Sequence, residues 1–317
     1  MGADAASSLF NPNKNISGMS RSRRRTEVAV IGAGPAGLAA GIQLRRYGIN
    51  PLVLDRDGGG GLLRNANLVE NYPGFPGGIP GPELVRLFLQ QAHQAGVEII
   101  QAEVTHLDWG GGEFCIETPV SQVLSPRVVI ASGTTPRKLS DLGIPVNLSR
   151  RIFYEVYAMA GIVGAVIAIV GAGDAAFDYA LNLARRNRVI LLNRGENVRC
   201  LPLLFERAST CPEITYRRSF TVLGLETAPN GSMVVRCLGP GGEERIEVDY
   251  LVGALGREPQ MNFLSADLLP KAQELEKMGK LYWVGDVRNG LCRQTSIAVG
   301  DGVRAAMQIY MCQEQVV

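Results

Sequence analysis

The chain has 317 residues, 46% of them hydrophobic and 20% charged, with a formal net charge of +2. That length makes two domains of roughly 100–200 residues, and the near-neutral charge gives no electrostatic case for nucleic acid or an anionic membrane. Two histidines, His93 and His106, leave little room for a His-built metal site or triad, and no metal is expected. The six cysteines (Cys115, Cys200, Cys211, Cys237, Cys292, Cys312) never stand as Cys-x-x-Cys. Their scatter fits reduced thiols in a cytoplasmic protein, not a disulfide framework. Glycine is the outlier at 38 residues. With no Gly-X-Y period, these glycines mark tight turns and close backbone approaches.

Residues 1–25 are polar and end in Arg21, Arg23, Arg24 and Arg25. A signal peptide places its charge before an apolar core, so the expectation is a disordered basic leader, with Met19 an alternative start.

Thr26–Asp57 then has the parts of a nucleotide-binding βαβ unit in order. Glu27–Ile31 is an apolar strand, Gly32-x-Gly34-x-x-Gly37 a turn, Leu38–Tyr47 a helix stopped by Gly48, and Pro51–Leu54 a strand ending at Asp55. Gly32 makes the tight turn, Gly34 lets backbone approach a pyrophosphate, and Gly37 lets helix pack on strand. The helix N-terminus offers N–H groups and positive dipole. Asp55 can accept from an adenosine ribose. Further on, Val128–Ala131 is a strand that turns at Ser132-Gly133.

No charge falls between Glu155 and Asp174, a length near that of a membrane span. Its second half reads instead as a buried parallel strand entering a turn, so no span is expected. That strand opens a second βαβ unit, Ala165–Gly195, with Gly171, Gly173 and Ala176 at the turn, a helix through Asp178–Arg186 and a strand at Val189–Leu192. Asn193 and Arg194 stand where the first unit has its acid, with Arg199 shortly after. A guanidinium there pairs with a ribose 2′-phosphate and favours NADPH over NADH; the alternative is that both arginines are merely solvated. The last segment, Lys280–Met311, has a strand, then Gly285-Asp286, then a helix from Thr295. Ala298, Gly302, Ala305 and Ala306 suit that helix to close packing near a flat ligand. Two nucleotide folds in one chain point to a tightly held flavin dinucleotide and a mobile nicotinamide dinucleotide, FAD and NADP(H).

From Arg25 to Gln313 the chain resembles the low-molecular-weight thioredoxin reductases, within the pyridine nucleotide–disulfide oxidoreductases. The resemblance rests on Val69-Glu70-Asn71-Tyr72-Pro73-Gly74-Phe75-Pro76 with Gly81-Pro82-Glu83-Leu84, on Gly171-x-Gly173-Asp174-x-Ala176, on Gly256-Arg257-x-Pro259, and on Gly285-Asp286-Val287 with Arg293-Gln294. It implies an α/β fold of two Rossmann-like domains of the three-layer ββα type. The nucleotide domain (142–245) is inserted into the FAD domain (26–141 and 246–317). Gly32, Gly34, Pro35, Ala36, Asp55 and Arg56 would hold the pyrophosphate and ribose of FAD. Gly61, Leu62, Asn71, Ser132 and Gly133 would lie along the cofactor, and Gly285 and Asp286 at its ribitol. Arg293, Gln294 and Thr295 would bring a helix N-terminus to the O2 edge of the ring, stabilising negative charge there. Gly171, Gly173, Asp174, Ala175, Asn193, Arg194 and Arg199 would hold the second nucleotide. The resemblance also implies a homodimer and a swing of one domain against the other.

The reductases carry Cys-x-x-Cys just before the second glycine turn. Here that stretch is Tyr154-Glu155-Val156-Tyr157-Ala158-Met159, with Glu155 and Ala158 at the cysteine positions and Met159 replacing an acid. Neither carboxylate nor methyl replaces a thiolate, so ordinary thioredoxin reduction is not expected. Cys200 and Cys211 sit too far apart along one helix for a disulfide. Cys292, beside Arg293, is either an accessory thiol or a buried filler. Glu155 is either a proton-handling carboxylate near the flavin or an ion-paired one. Leu62 replaces a glutamine and makes the pocket more apolar. Pro35-Ala36 stands where bacillithiol disulfide reductase-like relatives have a cysteine.

The expected activity is electron transfer between NAD(P)H and a ferredoxin- or flavodoxin-like protein, a quinone or a small disulfide. The alternatives are a flavin-binding redox sensor without turnover, or a flavoenzyme with another donor or a second flavin at the nucleotide site.

Overall fold

The computed structural model describes residues 22–314. Val28–Ile31, four apolar residues with all four buried, forms the middle of a five-stranded parallel sheet. A continuous apolar strand of this kind needs cover on both faces. The sheet runs Leu281–Trp283, Val128–Ile130, Val28–Ile31, Pro51–Asp55, Glu98–Gln101. Alternate side chains go to opposite faces. Val28 and Val30 pack with Leu38, Ala40 and Leu44 of helix α1 (Pro35–Arg46). Ala29 and Ile31 pack with Leu107, Phe114 and Ile116 of an antiparallel sheet. Helix α2 (Gly81–Gln94) crosses back between the second and third of these parallel strands in chain order, Pro51–Asp55 and Glu98–Gln101.

The second unit repeats the plan. Its parallel sheet runs Ile152–Phe153, Tyr250–Gly253, Val166–Val170, Arg188–Asn193, Ile214–Arg218. Ile167 and Ile169 face helices α3 (Asp174–Leu183) and α4 (Pro202–Ser209). Ala168 faces the other way, onto the three-stranded antiparallel sheet Thr221–Thr227, Met233–Gly239, Gly242–Val248. Each unit is therefore helices, parallel sheet, antiparallel sheet. Short helix α5 (Ala272–Lys277) precedes the last parallel strand, and helix α6 (Thr295–Glu314) closes the first unit against α1.

Three expectations need correction. Residues 22–25 of the expected leader form a strand, Ser22–Arg25, parallel to Ser121–Ser125. Its side chains are all exposed, so no hydrophobic pattern announces it. The ladder holds it, with Arg24–Glu98 at 2.9 Å and Arg25–Glu113 at 2.7 Å. The rest of that leader, with the alternative start at Met19, lies outside the described residues. The expected return to the first unit at residue 246 falls inside Gly242–Val248, and Tyr250–Gly253 still belongs to the second sheet. The crossing is a two-stranded ribbon, Thr134–Pro136 against Arg257–Pro259, so the insert is longer at both ends than residues 142–245. Finally, α1 starts at Pro35 rather than Leu38, because proline is tolerated in a first helical turn that has no intrahelical use for its N–H.

Candidate functional site

A cavity of about 700 Å³ opens between the two units, with the first glycine turn on its wall. Gly32 has φ +103°, and a Cβ there would lie 2.3 Å from the Ala131 carbonyl oxygen. A Cβ on Gly37 would lie 1.8 Å from the Gly32 carbonyl oxygen. Both positions hold backbone against backbone, as the spacing predicts. Gly34 differs: only the Gly61 Cα comes within 4 Å, at 3.9 Å, which leaves that face free for a ligand's phosphates. Pro35 and Ala36 bring the α1 N-terminus onto the cavity wall. Asp55 and Arg56 also line it. The Asp55 carboxylate accepts backbone N–H groups from Ala33 at 2.8 Å and from Asp57 and Gly59 at 2.9 Å each. These occupy three of its roughly four acceptor positions, so Asp55 first of all ties the turn to the loop beyond it.

Farther along the cavity lie Gly61 and Leu62 on one side and Ser132 and Gly133 on the other. The Ser132 hydroxyl donates to the Gln260 carbonyl oxygen at 2.7 Å, and Asn71 Nδ2 donates to Gln294 Oε1 at 2.8 Å. Gly285, with φ +74°, places Asp286 beside the start of α6 at Thr295. Burial pushes the Asp286 carboxyl upward, and Arg293 and Arg257 pull it back. Arg293 Nε is buried without a partner among the described residues. An orphaned guanidinium donor at a helix N-terminus, beside an open glycine face, fits an anionic dinucleotide.

In the second turn a Cβ on Gly171 would lie 2.3 Å from the Ala254 carbonyl oxygen, the counterpart of Gly32 on Ala131. Gly173 is the N-cap of α3, and Asp174 and Ala175 reach the same cavity. Asp174 Oδ1 accepts the Leu201 N–H at 2.7 Å, and Gly173 bridges to Arg199. Gly171, Gly173, Asn193, Arg194 and Arg199 are not on the cavity wall. Asn193 is buried, and its amide donates to Asn197 O and Tyr216 Oη and accepts the Gly195 N–H. These bonds give it a part in building the turn. Arg194 and Arg199 are exposed and make no ion pair among the described residues.

The stretch 154–159, expected at the dithiol positions, reaches this cavity through Glu155. Glu155 lines it and is ion-paired: Oε1 accepts from Arg257 Nη2 at 2.9 Å. The lone proton-handling carboxylate is thereby replaced by the ion-paired alternative. Met159 is 1% exposed in the second unit's core, so it follows the packing and not the chemistry. Cys292 is exposed and off the cavity wall, so it is not the buried filler.

Three residues here escape a reading of the sequence. Arg257 is visible only as part of a motif, and Asn65 carries no signal. Asp178 lies one helical turn beyond Asp174 on α3, a spacing that puts both on one face. Burial pushes Asp178 up to about 6, against the hydrogen bond from the Asn67 N–H at 2.9 Å. Among the described residues no helix is long and apolar enough to cross a membrane.

A family profile described as pyridine nucleotide-disulphide oxidoreductase matches residues 26–302. The chain is 32% identical over 295 residues to the bifunctional thioredoxin reductase/thioredoxin of Mycobacterium leprae (strain TN), covering 89% of this chain and 64% of that protein. It is 30% identical over 300 residues to NADPH-dependent thioredoxin reductase 3 of Arabidopsis thaliana, covering 88% and 57%. The chain thus spans less than two thirds of the length of these two relatives. Among solved structures, Lactococcus lactis thioredoxin reductase in its FR conformation superposes with a TM-score of 0.79 at 27% identity, covering 92% of this chain and 99% of that one.

Proposed function

The chain belongs to the pyridine nucleotide-disulphide oxidoreductase family, and we propose that it passes electrons between NADPH and an acceptor other than thioredoxin, without a dithiol relay. The family binds FAD and NADPH. The observation that carries this reading is the cavity wall: no cysteine lines it, and Glu155 occupies the place of the first relay thiol in an ion pair with Arg257. A fixed carboxylate neither attacks a disulfide nor stores an electron pair.

FAD, when bound, supplies the two-electron centre that exchanges hydride with NADPH. The chain's own groups bind and orient it. The open face of Gly34 and the α1 N-terminus would receive the pyrophosphate. Asp286 would hold the ribitol. Arg293 and the α6 N-terminus would stabilise negative charge on the reduced ring. Arg194 and Arg199, both free of ion pairs among the described residues, suit a 2′-phosphate and so favour NADPH over NADH. The acceptor is a ferredoxin- or flavodoxin-like protein, a quinone or a small disulfide, and the working form is a cytoplasmic homodimer.

The test is anaerobic mixing of the FAD-loaded protein with NADPH or NADH, followed at the flavin's visible band, then an acceptor panel that includes thioredoxin. NADPH should bleach the flavin faster than NADH, and thioredoxin should remain oxidised. Thioredoxin reduction that keeps pace with NADPH oxidation refutes the reading. No bleaching by either nucleotide favours a flavin-binding module without turnover.

A further inference from the structure

The stretch 154–159 puts anchors where a relay dithiol would need freedom, and the anchors face two ways. Val156 and Met159 sit in the nucleotide unit's own core, 2% and 1% exposed. Glu155 and Tyr157 reach the flavin-side unit. Besides Arg257, the Glu155 carboxylate accepts from Asn65 Nδ2 at 3.4 Å. The Tyr157 backbone N–H donates to Asn65 Oδ1 at 2.9 Å. The Arg64 guanidinium stands 5.0 Å from the Tyr157 ring centre, a cation–π contact. Asn65 is 2% exposed and ends the short 3₁₀ turn Gly61–Asn65 that carries Gly61 and Leu62 into the cavity. Its amide therefore joins the strap to the cavity wall.

Two more ties cross the same seam. Asp178 on α3 accepts the Asn67 N–H, and Arg207 on α4 pairs with both carboxylate oxygens of Glu70 at 2.6 and 2.9 Å. Three elements of the nucleotide unit thus converge on residues 64–70. A swing of that unit breaks all of these contacts together and strips Asn65 of two partners at a buried site, which is costly unless water or new partners replace them.

We propose that Glu155, Asn65 and Tyr157 are positioning residues that hold the nucleotide-binding unit fixed against residues 64–70, with α3 at the flavin-side cavity, so that turnover proceeds without a domain swing. This rests on the relay-free reading. A dithiol that must visit the flavin and then a disulfide partner requires motion; a cavity without a thiol does not.

The experiment joins the seam covalently. Glu70→Cys and Arg207→Cys are introduced with Cys292→Ser, and the FAD-loaded protein is treated with a bis-maleimide spanning the Arg–Glu separation. Bridging should reach the same yield at the same rate with and without excess NADPH, and small-angle scattering should not change on reduction. Turnover of NADPH with dichlorophenolindophenol should stay within about twofold of the unbridged protein. A loss beyond about tenfold on bridging, or a radius of gyration that shifts on reduction, overturns the proposal. Asn65→Ala should slow bridging and raise the KM for NADPH with little change in kcat. Glu155→Gln carries the same comparison if that variant does not fold. Unchanged bridging in the folded variant removes the role given to the strap. Thioredoxin reduction by the unbridged protein overturns the relay-free reading and the strap with it. Lost turnover on bridging, in a protein inert to thioredoxin, overturns the strap alone.

Discussion

Two glycines two positions apart on α6 should respond to the same substitution with opposite signs. A Cβ on Gly302 would lie 2.1 Å from the Ala36 carbonyl oxygen and 2.9 Å from the Ala40 nitrogen, both backbone atoms of α1. A relaxed carbon–oxygen contact needs about 3.3 Å or more, so the helices must part by about 1 Å. No flexible side chain can yield in their place. Overpacking of this kind costs about 1–3 kcal/mol, offset by about 1 kcal/mol of better helix propensity. Backbone-on-backbone contact puts Gly302→Ala at the upper end, a net loss of about 2 kcal/mol. Gly300 has nothing within 4 Å of its added Cβ and is exposed. Gly300→Ala should therefore gain about 1 kcal/mol. At about 2–4 °C per kcal/mol for domains of this class, the two variants should melt about 6–12 °C apart. Because α1 begins at Pro35, directly after the Gly34 turn, Gly302→Ala should also lower the FAD-to-protein ratio on purification. Circular-dichroism melts and absorbance ratios read both effects. A Gly302→Ala protein that melts with Gly300→Ala and keeps full FAD refutes the close-packing account.

Two further outcomes are expected. Asp178 has its folded value raised by burial from 3.8 to about 6, so the folded state holds the extra proton between those values and stability falls as pH rises through that window. A two-unit shift corresponds to about 3 kcal/mol at most. Asp178→Asn should melt progressively higher than the parent from about pH 4 to pH 6 and keep that gain at pH 7; parallel melting curves across the window contradict the assignment. Arg194→Ala should weaken NADPH binding by about tenfold or more while leaving NADH nearly unchanged, as measured by flavin bleaching against nucleotide concentration. Equal effects on the two nucleotides would remove Arg194 from the 2′-phosphate site.

Much of the first unit is legible because each glycine in its turn has one geometric reason to be there. Gly32 and Gly37 admit no Cβ, and Gly34 faces open space, as the motif spacing predicts. The absence of a Cys-x-x-Cys spacing is legible too, since it depends only on where the six cysteines stand in the chain. The strand Ser22–Arg25 is not legible, because a fully exposed edge strand carries no alternation. Nor is the return point of the insert, because Gly242–Val248 is mostly charged with only Ile246 and Val248 apolar, a pattern that does not say which sheet it joins, and only pairing reveals it. The partners of Asn193 are not legible for a related reason: Tyr216 arrives from a neighbouring strand and bonds its amide.

The sequence by itself determined two dinucleotide folds, the cofactor class and the absence of a Cys-x-x-Cys spacing, because these depend on residue types at short, fixed spacings. Only the tertiary structure decided what the side chains of the stretch 154–159 and of α3 meet. Glu155 meets Arg257 across 102 positions and Asn65 across 90, and Asp178 meets Asn67 across 111. Contacts between residues so far apart in the chain leave no periodicity to read. They exist only once both units are folded and pressed together at one cavity.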